Sequence, residues 1–492
     1  MKNIYKFSIG LALLLLVGCS KEYLDPVPQT SLSSLTVFET KDRIEAQVNG
    51  MYDAMKTAQF YGGRFFVYND IRCDNFIPKS SNLVTGYSTW NHSVITSTNE
   101  VQNLWSAGYN TINTINIFLD GLKTAWDEGK LAGILTDTEY KQYTSEAYAL
   151  RAISYFSLLQ LYAKPFNMGN GNNPGLPLRL IAETSSENND LARSSVAEVY
   201  TQILKDLNDA EGMAIANYTT DQLNTTRIHK NSIIAYKTRV YLHMQDWAAV
   251  GTESAKIVAL SGGKFSAPTG VAFELNPSFT EIWKTPYTSK ESIFSMPHST
   301  TDNPGSQNSL PSYYFSGATE SYYLNTAPGY AFSAMDDADV RKTSLEKVNE
   351  NYFISKFPDY TSHSNYSPVI RYAEVLLNRA EALVRAGNTV TAEAVELLNA
   401  VRTRSFPAGA YQQADFADAD AFYTAILKER NIEFLGEGIR NMDLMRLSLP
   451  IPGKDGGSMG NISAVNPTDP TYIWPISALE LTFNKLMTGN GK

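Results

Sequence analysis

Asp70 and Asp74 stand four residues apart in an aromatic-rich stretch, and a pair of carboxylates is what a glycoside hydrolase needs to split a glycosidic bond. That chemistry requires the two groups roughly 5 to 10 Å apart across a cleft. Spacing alone does not fix such a distance, and the pair reads rather as polar loop residues that make turns or ligand hydrogen bonds. No G-x-S-x-G, P-loop, G-x-G-x-x-G or H-E-x-x-H motif accompanies it. The histidines, His92, His229, His243, His298 and His363, contain no pair at helical ligand spacing, so neither a metal site nor a cofactor is expected. Asp415, Asp418 and Asp420 lack the glycine and closing glutamate of an EF-hand loop, and Asp418 or Asp420 suits the N-cap of the next helix.

A second constellation lies near the C-terminus. Glu429-Arg430, Glu433-Phe434, Glu437-Gly438, Arg440, Asp443-Leu444 and Arg446 set opposite charges three residues apart around apolar side chains. With no nucleophile beside them, these residues predict a buried ion network that fixes how two helices join.

The elements that position these residues follow from composition and periodicity. The chain has 492 residues, 43% of them apolar and 18% charged, which is ordinary globular usage. Its net charge of −9 with no basic block excludes a nucleic-acid partner. Lys2 and Lys6, the apolar run Ile9 to Val17, and Gly18 before Cys19 resemble a bacterial lipobox, with residues 1–18 as signal peptide and Cys19 as the acylated residue. That run is too short to span a bilayer, which takes roughly 20 residues. The membrane is therefore expected to be reached through lipid alone, by a tether over 19–40. Cys73, the only other cysteine, then has no intrachain partner and reads as an inert core thiol.

Ile44, Val48, Met51, Tyr52 and Met55 mark one face of a helix, and Val101, Leu104, Trp105, Ile112, Ile115 and Leu119 mark another. Further helices are expected at about 137–163, 195–213, 231–244, 247–260, 370–386, 390–404 and 419–435, with Ser195 and Glu198 spaced as a capping box. Breaks only at Gln245-Asp246 and at Gly387-Asn388 define two helix–turn–helix pairs. The fold class is mainly α: tetratricopeptide-like pairs forming a curved scaffold in one domain over 41–492. Long irregular, aromatic-rich insertions interrupt it at about 58–98, 164–193, 263–368 and 447–471.

The run Ile426 to Leu447 is similar to the ER-x-x-EF-x-x-EG-x-R-x-x-DL-x-R signature of the SusD/RagB family. Glu146 to Ala152 with Tyr155-Phe156, Gly175 to Leu178, Asp339-Val340-Arg341, Arg371 to Ala382, Leu398 to Arg404 and Tyr472 to Ile476 resemble its other segments in the family order. One departure is Tyr162-Ala163-Lys164-Pro165, where members usually carry a glycine after the tyrosine. The resemblance implies an outer-membrane, lipid-anchored, cell-surface protein that is not an enzyme. It would capture an oligosaccharide and deliver it to a TonB-dependent, SusC-like β-barrel transporter.

The family motifs are scaffold, so ligand contacts follow from sugar chemistry instead. Sugar rings present apolar C–H faces edged with hydroxyls, which calls for flat aromatic platforms beside planar polar groups. In the first insertion Tyr61, Arg64, Asp70, Asp74, Asn75, Trp90 and Asn91 supply both kinds. In the third, Trp283, Tyr287, Tyr313-Tyr314 and Tyr322-Tyr323 supply platforms. Trp90 is the leading candidate, because its Ser/Thr/Asn-rich surroundings carry no helical stripe, whereas Trp474 lies in a family motif and reads as core. A peptide-binding relative of the same fold and a glycoside hydrolase are the alternatives.

Overall fold

The computed structural model describes residues 37–317 and 321–490. The expected signal peptide, Cys19 and all but the end of the expected tether lie outside them. Helices begin where a side chain can accept from the free N–H groups of a first turn. Thr40 does so for α1 (Lys41–Met55). α2 (Arg64–Ile71), strand β1 (Phe76–Pro78) and a single helical turn, Tyr87–Trp90, lead into α3 (Asn99–Asp127). Capping boxes open α4 (Asp137–Tyr162) at Thr136 and α5 (Val196–Met213) at Ser195, the latter as its spacing predicts.

Both predicted helix pairs form. α6 (Lys230–Met244) meets α7 (Trp247–Ala255) at Gln245, φ 58°, and α8 (Tyr372–Gly387) meets α9 (Ala392–Ser405) at Asn388, φ 48°. Asp418 caps α10 (Ala419–Glu433) through Ala421 N, and α11 (Ile439–Arg446) follows. α4 is the central helix: from Gln142 onward almost all of it is buried, with α3 and α5 packed against it. Trp474 is core, its N–H bonded to Leu161 O at 2.7 Å and its ring edge-on to Tyr162. The architecture is mainly α and tetratricopeptide-like, and no described helix is long and apolar enough to cross a membrane.

The insertions are more regular than their composition suggests. Strands β2 (Ser292–Met296), β3 (Tyr322–Leu324) and β4 (Ser367–Arg371) form short antiparallel pairs, β1 with β3 and β2 with β4. In the first insertion, α2 replaces the expected irregular chain. All eight of its residues are buried, so it shows no apolar stripe on one face and periodicity could not reveal it.

The predicted C-terminal ion network exists and is larger than the signature itself. Glu433 accepts from Arg404 Nη2 at 2.5 Å, Arg371 Nη1 at 3.0 Å and Arg341 Nη1 at 3.1 Å. Glu437 takes both Nε and Nη2 of Arg371 at 2.8 Å and Lys356 Nζ at 2.6 Å. Glu291 bridges Arg371 and Arg404, while Asp339 and Glu429 hold Arg341. All of these residues are buried except Arg404, which is part-buried with its side chain 5% exposed. Arg341, Arg371 and Arg404 come from separate family-like segments, so the scattered motifs meet at one point. Beside it, Asp443 joins Arg430 to Arg446, which is also doubly bonded to Glu381.

Burial alone would raise the Glu433 pKa, but Arg404, Arg371, Arg341 and Lys356 outweigh it and hold the carboxyl well below its usual range. Its contribution to stability is thus fully present above the ordinary carboxylate range and lost only as pH falls through the depressed value. Glu433→Gln keeps the shape but removes the charge that three guanidiniums share, leaving the buried cluster with excess positive charge. It is expected to lower unfolding free energy by about 3–5 kcal/mol in urea titration; an unchanged midpoint would contradict the assignment.

Candidate functional site

Most of the residues selected for ligand contact turn out to support a surface rather than form it. Tyr61 is enclosed by Phe60, Phe65 and Phe66 and bonds Ser157 Oγ at 2.7 Å. Arg64, buried, reaches Gln59 and Tyr68. Asn75 ties Asn431 Oδ1 at 2.7 Å to Ala331 N at 3.0 Å. Trp283 lies in the ion cluster, with Lys356 and Arg371 over its ring. Tyr313 stacks on Tyr322, and Tyr314 packs on Phe76 and bonds Asp70. Tyr287, half-buried, meets Tyr366. Asn91, half-exposed, turns its side chain back to Ser93 N.

Trp90 has no exposed surface; its Nε1 donates to Phe76 O at 2.8 Å. A ring with both faces covered by protein cannot receive a sugar, so the expectations at Trp90, Tyr61, Trp283, Tyr313 and Tyr314 are corrected: these rings are supports. The polar expectations at Arg64, Asp70, Asp74 and Asn75 are corrected for the same reason, since each is buried and already bonded.

The hydrolase pair is likewise structural. Asp74 forms a two-bond pair with Arg440 at 2.9 and 3.1 Å, and Asp70 accepts from Gly438 N at 2.9 Å. Burial pushes the Asp70 carboxyl up to about 8 against that N–H. Both carboxylates join α2 to the start of α11, at 1% and 2% exposure, so no substrate reaches them.

Directly above these supports is a surface of half-exposed tyrosines. Tyr87 lies on the outer side of Trp90, ring centres 5.7 Å apart and planes 27° apart. Ile77 pairs with Tyr323 and Pro78 with Tyr322 between β1 and β3. Successive strand residues point to opposite faces. Tyr322 therefore turns inward and bonds Thr85 O at 3.1 Å, while Tyr323 turns outward. Tyr330 accepts from Asp455 N at 3.0 Å, and Asn325 Nδ2 donates to Asp455 O at 3.0 Å, which joins the 454–460 loop to β3. Burial and the nearby Asp455 carboxylate raise the Tyr323 pKa. Gly456 lets this loop cross Trp90, because a Cβ there would sit 2.7 Å from the indole edge.

Tyr323 and Tyr330 thus lie beside the exposed Asp455, and Tyr87 lies on Trp90, the ring that the Asp455 loop crosses. Tyr87, Tyr330 and Asp455 were not selected from the sequence. The adjacent Tyr322 and Tyr323 did carry the signal, since a strand must send one of them out. A separate groove of about 640 Å³ between the Ala259–Ser266 hairpin and α9 has Phe265 as its one lining ring, and that ring is buried.

A profile of SusD-like proteins, described as starch-binding and associating with the outer membrane, matches residues 22–242. A crystal structure of a SusD superfamily protein from Bacteroides fragilis superposes with a TM-score of 0.80 at 33% identity, covering 92% of this chain and 100% of that one. The chain belongs to the SusD family. SusD-like protein P38 of Formosa agariphila is 26% identical over 100% of this chain and 99% of its own. The fold is also that of surface glycan-binding protein A from Bacteroides thetaiotaomicron, solved with laminarihexaose, with a TM-score of 0.70 and 17% identity over 92% of this chain and 99% of that one.

In this SusD-like protein the indole of Trp90 fills the space under the tyrosine surface. Trp90→Ala should therefore cost about 3–5 kcal/mol of folding stability by opening a cavity. Thermal unfolding that leaves the melting temperature unchanged would return Trp90 to an exposed role.

Proposed function

We propose that this SusD-like protein binds a glycan, without cleaving it, on the surface formed by Tyr87, Tyr323, Tyr330 and Asp455. The observation that carries this reading is that three half-exposed rings and the exposed Asp455 lie on one buried support: Tyr87 stacks on Trp90, the Asp455 loop crosses Trp90, and Tyr323 and Tyr330 flank that loop. Tyrosine suits the task, since its apolar ring meets C–H faces and its hydroxyl meets sugar hydroxyls at small entropic cost. Laminarihexaose in the related glycan-binding protein supports an oligosaccharide as ligand. Lipid on Cys19 would hold the protein at the cell surface, and a TonB-dependent β-barrel transporter would take the glycan from it.

A glycan array that includes laminarihexaose, followed by titration calorimetry of the best hit, tests this. Tyr323→Ala and Tyr87→Ala are each expected to weaken binding by about 1–3 kcal/mol, the scale of one ring's burial. Their melting temperatures should fall much less than that of Trp90→Ala. Wild-type affinity in both variants would refute the assignment.

A further inference from the structure

Lys454 is buried without a carboxylate partner. Its Nζ donates to Ile71 O at 2.9 Å, Arg72 O at 3.2 Å and Cys73 O at 3.0 Å, the carbonyls that end α2. The same ammonium lies 5.0 Å from the centre of the Trp90 ring. All three N–H groups are thus used on neutral acceptors, a cation at a helix C-terminus and over an indole. An ammonium taken out of water without a counter-ion costs free energy. A methionine would fill the same volume without that cost, so the charge itself calls for explanation.

Its position supplies one. Lys454 begins the loop that carries Asp455, and pairing of Lys454 with Ile462 and of Ile451 with Val465 leaves 455–461 as the projecting tip. Trp90 ends the turn that carries Tyr87. We propose that Lys454 is the positioning residue of the tyrosine surface: its ammonium holds the Asp455 loop in register with the Tyr87–Trp90 turn across the end of α2. This rests on the reading that the surface binds a glycan.

The charge makes the register sensitive to pH. Burial pushes the Lys454 pKa down to about 7. The charged and titratable groups facing it are Arg72, Cys73, Asp74 with its partner Arg440, and His92. Burial moves Cys73 up to about 12 and His92 down to about 2, both outside the range from pH 6 to 9. Asp70 on α2, at about 8, falls within it. Because folding lowers the lysine pKa, the folded chain binds fewer protons than the unfolded one between about 7 and the usual lysine range, so this group's contribution to stability rises with pH there. Loss of the proton weakens the three carbonyl bonds and the indole contact, so the register loosens over the same range. The Lys454 contribution to stability and the order of the surface therefore move in opposite directions.

Amide hydrogen exchange on the full chain at pH 6 and pH 9, corrected for intrinsic rates, tests this without a ligand. At pH 9 the amides of 86–93 and 455–462 should exchange at least about five-fold faster while those of α4 do not. Lys454→Met should be fast at both pH values, and Asp70→Asn should keep the wild-type profile. If Lys454→Met does not fold, the wild-type series still decides. Equal protection of both segments at the two pH values overturns the proposal. So does a profile that Asp70→Asn abolishes. In parallel, affinity for the best array hit should fall about five-fold from pH 6 to 9, roughly 1 kcal/mol of coupling. If exchange responds and no array glycan binds, the positioning role stands and the glycan reading falls.

Discussion

Glu433 is the point on which the rest of the structure depends. Three guanidiniums from three distant parts of the chain converge on its carboxylate, and each is bonded in turn to Asp339, Glu437 or Glu291. Such a cluster is costly to assemble and costlier to break, because removing one member leaves an uncompensated charge buried among the others. It therefore stabilises one arrangement of α9, α10 and the long third insertion against other apolar packings. Family resemblance runs through these residues for a mechanical reason: they set where helices meet.

The cluster also sets the proposed ligand surface at a distance. α10 turns through the left-handed Gly438 into α11, where Gly438 N holds Asp70 and Arg440 holds Asp74. Those two carboxylates fix α2. The end of α2 receives Lys454, and Lys454 lies against Trp90, on which Tyr87 stacks. Polar contacts with little freedom at each step leave the outermost rings ordered before any ligand arrives. Preorganisation of that kind reduces the entropy lost on binding, which matters for a hydrated ligand that offers only modest apolar contact.

The helical scaffold was legible because its helices bury one face: the Ile44 and Val101 stripes, the Ser195 cap and the breaks at Gln245 and Asn388 all carry local signals. The C-terminal charges were legible as an ion network, although their partners Glu291, Lys356 and Arg341 lie too far away in sequence to predict. The proposed tyrosine surface draws on the insertions marked in the sequence but, Tyr323 apart, on other residues within them. Ser/Thr/Asn-rich surroundings made Trp90 look exposed, yet Lys454, more than 360 positions along the chain, and Gly456 cover it. Nothing local distinguishes a lysine that caps a helix from one in solvent. Tyr322 and Tyr323 show what was available, since strand alternation separates an inward ring from an outward one once the pairing with β1 is known.

The central claim is that the ligand lies on the tyrosine surface above this frame. A crystal structure of the protein with its best-binding oligosaccharide tests it most directly. The account predicts sugar rings against Tyr87, Tyr323 and Tyr330, with hydroxyls at Asp455. Sugar density in the 640 Å³ groove beside Phe265 and Arg404, with the tyrosine surface empty, would contradict it.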